Sequence, residues 1–242
     1  MERYLVRFTK ESEIKFISHL DLLRTLQRMV IRSGLNVSYS NGFNPHISVA
    51  ITQPLSVGMY SKSEYFDLRL QEAYDCTVIK EKLNEAAPRG IKILNVIYIG
   101  EKKLNVKEAP KSMSVIDAAS YKIRIKYNNA DKLQDEIKNL LCLSSWNTFK
   151  LNKRKEKVEI DIKPLIIHFD FKVEKNVLKI DTLVRCGSRK NLSPEILASF
   201  IKKNTEGADS DAFCSIERQE LYTEHNKKLL PVGDYFSGKC FM

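Results

Sequence analysis

The chain has 242 residues, 43% of them hydrophobic and 29% charged, with a formal net charge of +10. That length suits one large or two small domains, and the composition excludes collagen-like and low-complexity classes. The excess of cations favours polyanionic partners, nucleic acid ahead of an anionic membrane. No apolar run approaches the roughly 20 residues of a membrane helix, and the opening MERYLVRFTK lacks the apolar core of a signal peptide. A cytoplasmic protein without a membrane partner is expected. The five cysteines stand singly, with no C-x-x-C pair. Neither a disulfide framework, a zinc site nor a Cys-bound iron–sulfur cluster is expected, and no metal or cofactor is predicted.

RYLVRF alternates and predicts a strand. In FISHLDLLRTLQRMVIRSG, Ser18 and Asp21 are spaced as a helix N-cap and its partner. Phe16 and Leu22 suit a hydrophobic staple, Leu20, Leu23, Leu26, Val30 and Ile31 form the expected apolar face, and Gly34 ends the helix. NVSYS reads as a short strand, followed by the turn Asn41-Gly42-Phe43-Asn44-Pro45-His46 and then ISVAIT. SEYFDLRL is a strand, TVIKEKLNEAA a helix stopped at Pro88-Arg89-Gly90, and IKILNVIYIG a strand. The order is β-α-β-β-α-β, with an irregular insert after the second strand, which is the ferredoxin-like pattern.

EKKLNVKEAPKSMSVIDAAS, polar and weakly patterned, reads as a linker or as an excursion between halves with room for one strand. The pattern then returns. SYKIRIKY is a strand, DKLQDEIKNLLCL a helix, and NTFKLN and EKVEIDIKPLI are strands around the basic tip Lys153-Arg154-Lys155. HFDFKVEKNVLKIDTLVR makes further strands around a Lys-Asn turn. SPEILASFIKKN is a helix with Ser193 as N-cap and Pro194 behind it, and FCSIERQELYT closes as a strand. The fold class expected is α+β: tandem ferredoxin-like (β-α-β-β-α-β) units with antiparallel sheets. The boundaries are 1–100 for the first unit, 101–119 for the linker, 120–223 for the second unit and 224–242 for an irregular tail.

Arg24, Arg28 and Arg32, at steps of four, form one stripe on the first helix, and the guanidinium fork suits phosphate. His19 falls at the first helical position, where an anion is favoured. In the turn, Phe43 is an apolar residue among polar ones, suited to stacking on a base, and Asn41, Asn44 and His46 are suited to nucleotide edges and hydroxyls. Arg154 at the hairpin tip, and Arg189 and Lys190 before the last helix, are further candidate RNA contacts. The sequence lacks Walker A, G-x-G-x-x-G, G-x-S-x-G and H-E-x-x-H motifs. His19 and His46, assisted by Tyr39, form the alternative: a metal-independent acid/base pair that cuts RNA.

The block from Phe16 to Leu68 resembles the N-terminal signature of the radical SAM-linked bacterial family, a domain of unknown function. The matching residues are Phe16, Ser18, His19, Leu20, Asp21, Arg24, Arg28, Gly42, Phe43, Asn44, Pro45, His46, Pro54, Leu55, Gly58, Ser61 and Glu64. Asp161, Pro164 and LSPEILASF continue the similarity, while Ile47-Ser48 departs from the proline or basic residue expected after the histidine. The chain lacks the radical SAM cluster motif and resembles the stand-alone form. The resemblance implies a radical SAM enzyme as partner. A more remote likeness, in fold pattern alone, is to tandem ferredoxin-like RNA-binding proteins of CRISPR systems. The expected function is an RNA-binding accessory protein, non-catalytic rather than an enzyme, working with a radical SAM enzyme on tRNA or rRNA, with no DNA partner. The alternatives are the endoribonuclease and a protein–protein adaptor.

Overall fold

The computed structural model describes residues 1–101, 108–151, 156–238 and 240. Its strands and helices, in chain order, are β1 (Glu2–Lys10), α1 (His19–Arg32), β2 (Val49–Ile51), β3 (Tyr60–Leu70), α2 (Cys76–Glu85), β4 (Ile93–Glu101), β5 (Ala118–Lys126), α3 (Leu133–Cys142), β6 (Asn147–Leu151), β7 (Lys157–Asp161), β8 (Ile166–Glu174), β9 (Val177–Arg185), α4 (Pro194–Lys203), β10 (Ser215–His225), β11 (Lys228–Pro231) and α5 (Val232–Ser237). The protein is of mixed α+β class, and its sheets are mostly antiparallel. The chain divides into two units: residues 1–118 with 218–242, and residues 119–217.

In the first unit β1 is central, antiparallel to β3 on one side and β4 on the other, and β2 lies beyond β3. Alternation along β1 and β3 sends Tyr4, Val6, Phe8, Phe66, Leu68 and Leu70 into one core with Leu22, Leu26, Met29 and Val30 of α1 and Ile79 and Leu83 of α2. Helix α1 starts where the spacing predicts. The Ser18 hydroxyl accepts from the Asp21 amide at 3.2 Å and donates to the Asp21 carboxylate at 2.7 Å, which satisfies an orphan donor of the first turn. Its apolar face is narrower than expected. Leu20 and Ile31 are 60% and 55% exposed, because in a 3.6-residue helix they fall outside the arc that Leu22, Leu26, Met29 and Val30 turn to the sheet. The staple residue also differs. Phe16 is exposed beneath the Lys15 ammonium, and Ile17, directly before the cap, packs on the core instead.

The segment expected to be a linker is fastened at its end. Arg3, 4% exposed, donates to the carbonyls of Ala109 and Pro110 and to Asp67, and Asp67 in turn accepts from the Ser112 amide and hydroxyl. The segment expected to be an irregular tail is ordered by pairing and burial. β11 pairs with β10, and α5 buries Val232, Tyr235 and Phe236.

In the second unit the strand order is β5-β9-β8, and β6 and β7 form a separate two-stranded sheet. Helix α3 buries Leu133, Ile137 and Leu140; α4, capped by Ser193, buries Leu197, Phe200 and Ile201. β7 is shorter than the expected EKVEIDIKPLI strand: it ends at Asp161, and a short 3-10 turn over Lys163–Leu165, with Pro164 inside it, precedes β8. Proline lacks the amide that a strand ladder requires. The basic tip Lys153-Arg154-Lys155 lies outside the described residues. Among the described residues no helix is long and apolar enough to cross a membrane.

Candidate functional site

The turn that holds Phe43 is an excursion from an edge strand. The edge of β3 pairs with Val37 at Leu70, accepts the Ser38 amide at the Arg69 carbonyl, and pairs with Val49 at Leu68. Successive positions of β3 are thus served by Val37, by Ser38 together with Ser48, and by Val49, and residues 39–47 loop out between them. NVSYS therefore contributes isolated bridges at Val37 and Tyr39 instead of a regular strand. The excursion is a pinched hairpin. The Ser48 amide donates to the Ser38 carbonyl at 2.9 Å, Tyr39 bridges Ile47, the Ser40 amide donates to the His46 carbonyl at 2.7 Å, and the His46 amide donates to the Ser40 hydroxyl at 2.9 Å. Gly42 sits at φ +136°, where a side chain is strained. Beyond the pinch Asn41, Gly42, Phe43, Asn44, Pro45 and His46 are all exposed, and Phe43 is fully so. The apex therefore contributes nothing to the core.

The α1 arginines are all exposed but are not equivalent. Arg24 pairs with Asp21 at 3.3 Å. Arg32 donates to the Ala86 carbonyl at 2.8 Å, beyond the end of α2. Arg28 carries no ion pair or hydrogen bond among the described residues and is the stripe's uncommitted cation. No described hydrogen bond or ion pair joins the stripe to the hairpin. Arg189 and Lys190 are exposed in the second unit, on the loop before Ser193; Arg154 lies outside the described residues.

No interaction among the described residues joins the two histidines. His19 opens α1 near the start of β3: the Lys15 carbonyl accepts from Gly58, and Lys10, which also donates to that carbonyl, pairs with Ser61. His46 stands two residues from Ser48, which is bonded to Arg69 near the other end of β3. The stretch of strand from Ser61 to Arg69 spans about 27 Å at roughly 3.4 Å per residue. The His19 Nδ1 is buried with no hydrogen-bond partner among the described residues, and no interaction places Tyr39 beside it. Acid/base work on one phosphate needs both groups within reach of it, and this arrangement offers no support for such a pair.

A second set of residues is invisible as a cluster in the sequence. Arg218 and Glu64 are each 1% exposed. The Arg218 guanidinium grips both oxygens of Glu64, with Nε to Oε1 at 2.8 Å, and its Nη2 also reaches the Gln53 carbonyl. Beside them Lys10 is buried, and its ammonium donates to the Lys15 carbonyl at 3.1 Å. Burial pushes this lysine's pKa down, against the opposing pull of Glu64. Ser61 donates to the Arg218 carbonyl. Further along, Glu220 pairs with Arg7 at 2.8 Å and accepts from Ser63 and from its neighbour's amide at Leu221. Burial pushes the Tyr65 phenol up, and Glu220 adds to that shift.

Burial also raises Glu220, against the Leu221 amide, Arg7 and Ser63, which lower it. A carboxyl raised on folding lends stability that is complete below its unfolded value of 4.5 and is lost as pH rises through the folded value. Glu220→Gln cannot ionise. Urea midpoints followed from acid to neutral pH are expected to fall less steeply in this variant than in the wild type; parallel profiles would remove Glu220 as the cause.

These observations sort the motif residues. Ser18, Asp21, Gly58, Ser61 and Glu64 have internal work as a cap, a loop tie and a buried ion-pair seam. Among the described residues Phe43, Asn44 and the His46 ring have none. The model of a family described as an uncharacterized protein conserved in bacteria (DUF2344) matches residues 3–194. The chain belongs to that family. The match takes in the whole hairpin excursion and the strand β3 that supports it, and it ends at Pro194, the first residue of α4. Among solved structures, the crystal structure of an unknown protein from Galdieria sulphuraria is similar at 10% identity and a TM-score of 0.24, over 90% of this chain and 96% of that one. At that TM-score the likeness informs neither fold nor function. No curated protein matches the chain.

Proposed function

We propose that this member of the family is an RNA-binding accessory protein, acting in the cytoplasm and presenting tRNA or rRNA to a radical SAM enzyme. The observation that carries the RNA reading is the fully exposed Phe43 at the apex of an excursion that takes no part in the core. Leaving a phenyl ring in water forgoes about 1.5–3 kcal/mol of burial, and a base offers a π-face that recovers it. Asn41, Asn44 and His46 beside it supply donors and acceptors for a nucleotide, and Arg28 with its neighbours supplies cations for phosphate. The net charge of +10 acts in the same direction. The partner enzyme rests on the sequence resemblance. The same reading takes both units as ferredoxin-like, supported in the first by the order β4-β1-β3-β2 with antiparallel neighbours.

A salt series of binding to bulk tRNA tests it. Binding is expected to weaken with salt. The triple change Arg24→Ala, Arg28→Ala, Arg32→Ala is expected to flatten the log–log slope by about 0.7 for each phosphate that is no longer neutralised. No binding at low salt would sink the proposal. The exposed Phe16, Leu20 and Ile31 favour a second reading, an adaptor that docks the enzyme through this side of α1. It predicts that Leu20→Asp abolishes binding to the radical SAM enzyme in the absence of RNA.

A further inference from the structure

We infer that the hairpin recognises one unstacked nucleotide in a structured RNA, in preference to a regular duplex or a long single strand. This deepens the RNA-binding reading and rests on it. The first argument is the number of aromatic rings. Proteins that follow a single strand stack successive bases on successive aromatic side chains. Here the apex carries one phenyl ring, Phe43; the exposed imidazole of His46 stands where the pinch closes, and the exposed Tyr39 ring sits at the base, in the bridge to Ile47. One phenyl ring at the tip is a seat for one base.

The second argument is rigidity. Three hydrogen bonds close the hairpin below its apex: Ser48 to the Ser38 carbonyl and Ser40 to the His46 carbonyl, which together make the Tyr39–Ile47 bridge, and His46 to the Ser40 hydroxyl. Pro45 holds its own φ within the turn, and Gly42 supplies a φ of +136° that a side chain would strain. Phe43 is therefore presented in advance, and little ordering entropy remains to oppose binding. A preorganised tip suits insertion beside a base that is already out of the stack. It does not suit wrapping along a flexible strand.

The third argument is the chemistry around the ring. Asn41 and Asn44 flank Phe43, and both are exposed. An amide offers a donor pair and an acceptor, matching an exposed base edge. In an A-form duplex the base faces are covered by their neighbours, and the major groove is too deep and narrow for side chains to read. A ring with flanking amides finds both a face and an edge only at a bulge, a loop or an end.

Three RNAs of equal length test this: a blunt-ended duplex, the same duplex with a single bulged 2-aminopurine, and an unstructured strand. Wild type is expected to bind the bulged RNA about tenfold more tightly than the duplex, a single stacked base accounting for that factor, and to change the 2-aminopurine fluorescence. Phe43→Ala is expected to erase both effects, and Phe43→Trp to restore them. Because Phe43 is fully exposed, both variants keep the fold, which circular dichroism checks. Salt-dependent binding to all three RNAs alike, unchanged in Phe43→Ala, would overturn this inference and leave the RNA-binding reading standing. Absence of salt-dependent binding to any of them would overturn both.

Discussion

Arg218→Ala is expected to destabilise the first unit by about 3–5 kcal/mol, the cost of leaving a buried charge without its partner. Glu64 is 1% exposed and has both carboxylate oxygens against the Arg218 fork. Without the guanidinium it must ionise in a low-dielectric site or take up a proton, and the Gln53 carbonyl loses a donor as well. Lys10, already held below its usual pKa by burial, would become the nearest cation, but it is bonded to Lys15. Arg218→Lys is expected to rescue little, since an ammonium cannot form the bidentate grip. The paired change Arg218→Met with Glu64→Leu removes both charges and is expected to recover most of the loss. Denaturant unfolding, with hydrogen exchange read at the β3 amides, checks all three. A cost below about 1 kcal/mol for Arg218→Ala would mean that water reaches the seam and that the pair behaves as a surface bridge.

This seam shows where the sequence is legible and where it is not. Ser61 and Glu64 are visible in the sequence as parts of a spaced motif, yet their partner Arg218 lies 154 positions from Glu64. Local pattern gives no access to such a pairing, because the register of β10 beside β3 is set by tertiary packing. Lys10 is hidden for the same reason: one lysine at the end of an amphipathic strand has the same local signature whether it faces water or a buried carboxylate. The first helix is legible because capping and periodicity are local. Its N-cap, first residue and C-terminal glycine follow from Ser18, His19 and Gly34. Its exposed rim is not, since Leu20 and Ile31 satisfy an apolar pattern yet remain more than half exposed.

The hairpin excursion is half legible. Asn-Gly and Asn-Pro mark a turn, and an aromatic between them signals a ring with nowhere to hide. What the sequence does not show is that Val37, Ser38 and Val49 serve consecutive positions of one strand edge. That continuity makes residues 39–47 an insertion rather than a connection. It also lends no support to the expected histidine pair, because it places His46 near the Arg69 end of β3 while α1 begins near the other. The tail has no regular pattern of its own because its order comes from pairing with β10, again a long-range cause.

The second large effect belongs to the other unit. Trp146→Ala is expected to cost about 3–5 kcal/mol there. Trp146 is 1% exposed, stacks on Phe200 with ring centroids 5.1 Å apart, meets Phe169 edge-on at 5.8 Å, and donates its indole N–H to the Leu140 carbonyl at 2.8 Å. Truncation empties the space the indole fills between Leu140 of α3 and Phe200 of α4, and strands the carbonyl. Trp146→Phe keeps one stacked ring but loses the indole's second ring and its N–H, so its cost is expected to be smaller than that of the alanine change. The position also governs the β6–β7 hairpin. The Trp146 amide donates to the Asp161 carboxylate at 2.8 Å, and the Ile162 amide donates to the Trp146 carbonyl at 3.0 Å, closing the hairpin at its base. Both backbone ties survive in the variant only if the base keeps its place. Hydrogen exchange is therefore expected to accelerate in β6 and β7 before β1 and β3 respond. Trp146 is the chain's single tryptophan, so wild-type fluorescence reports this unit's unfolding and exchange must report the variant's. Equal acceleration in both units would show that they unfold together, and the local account of Trp146 would then fail.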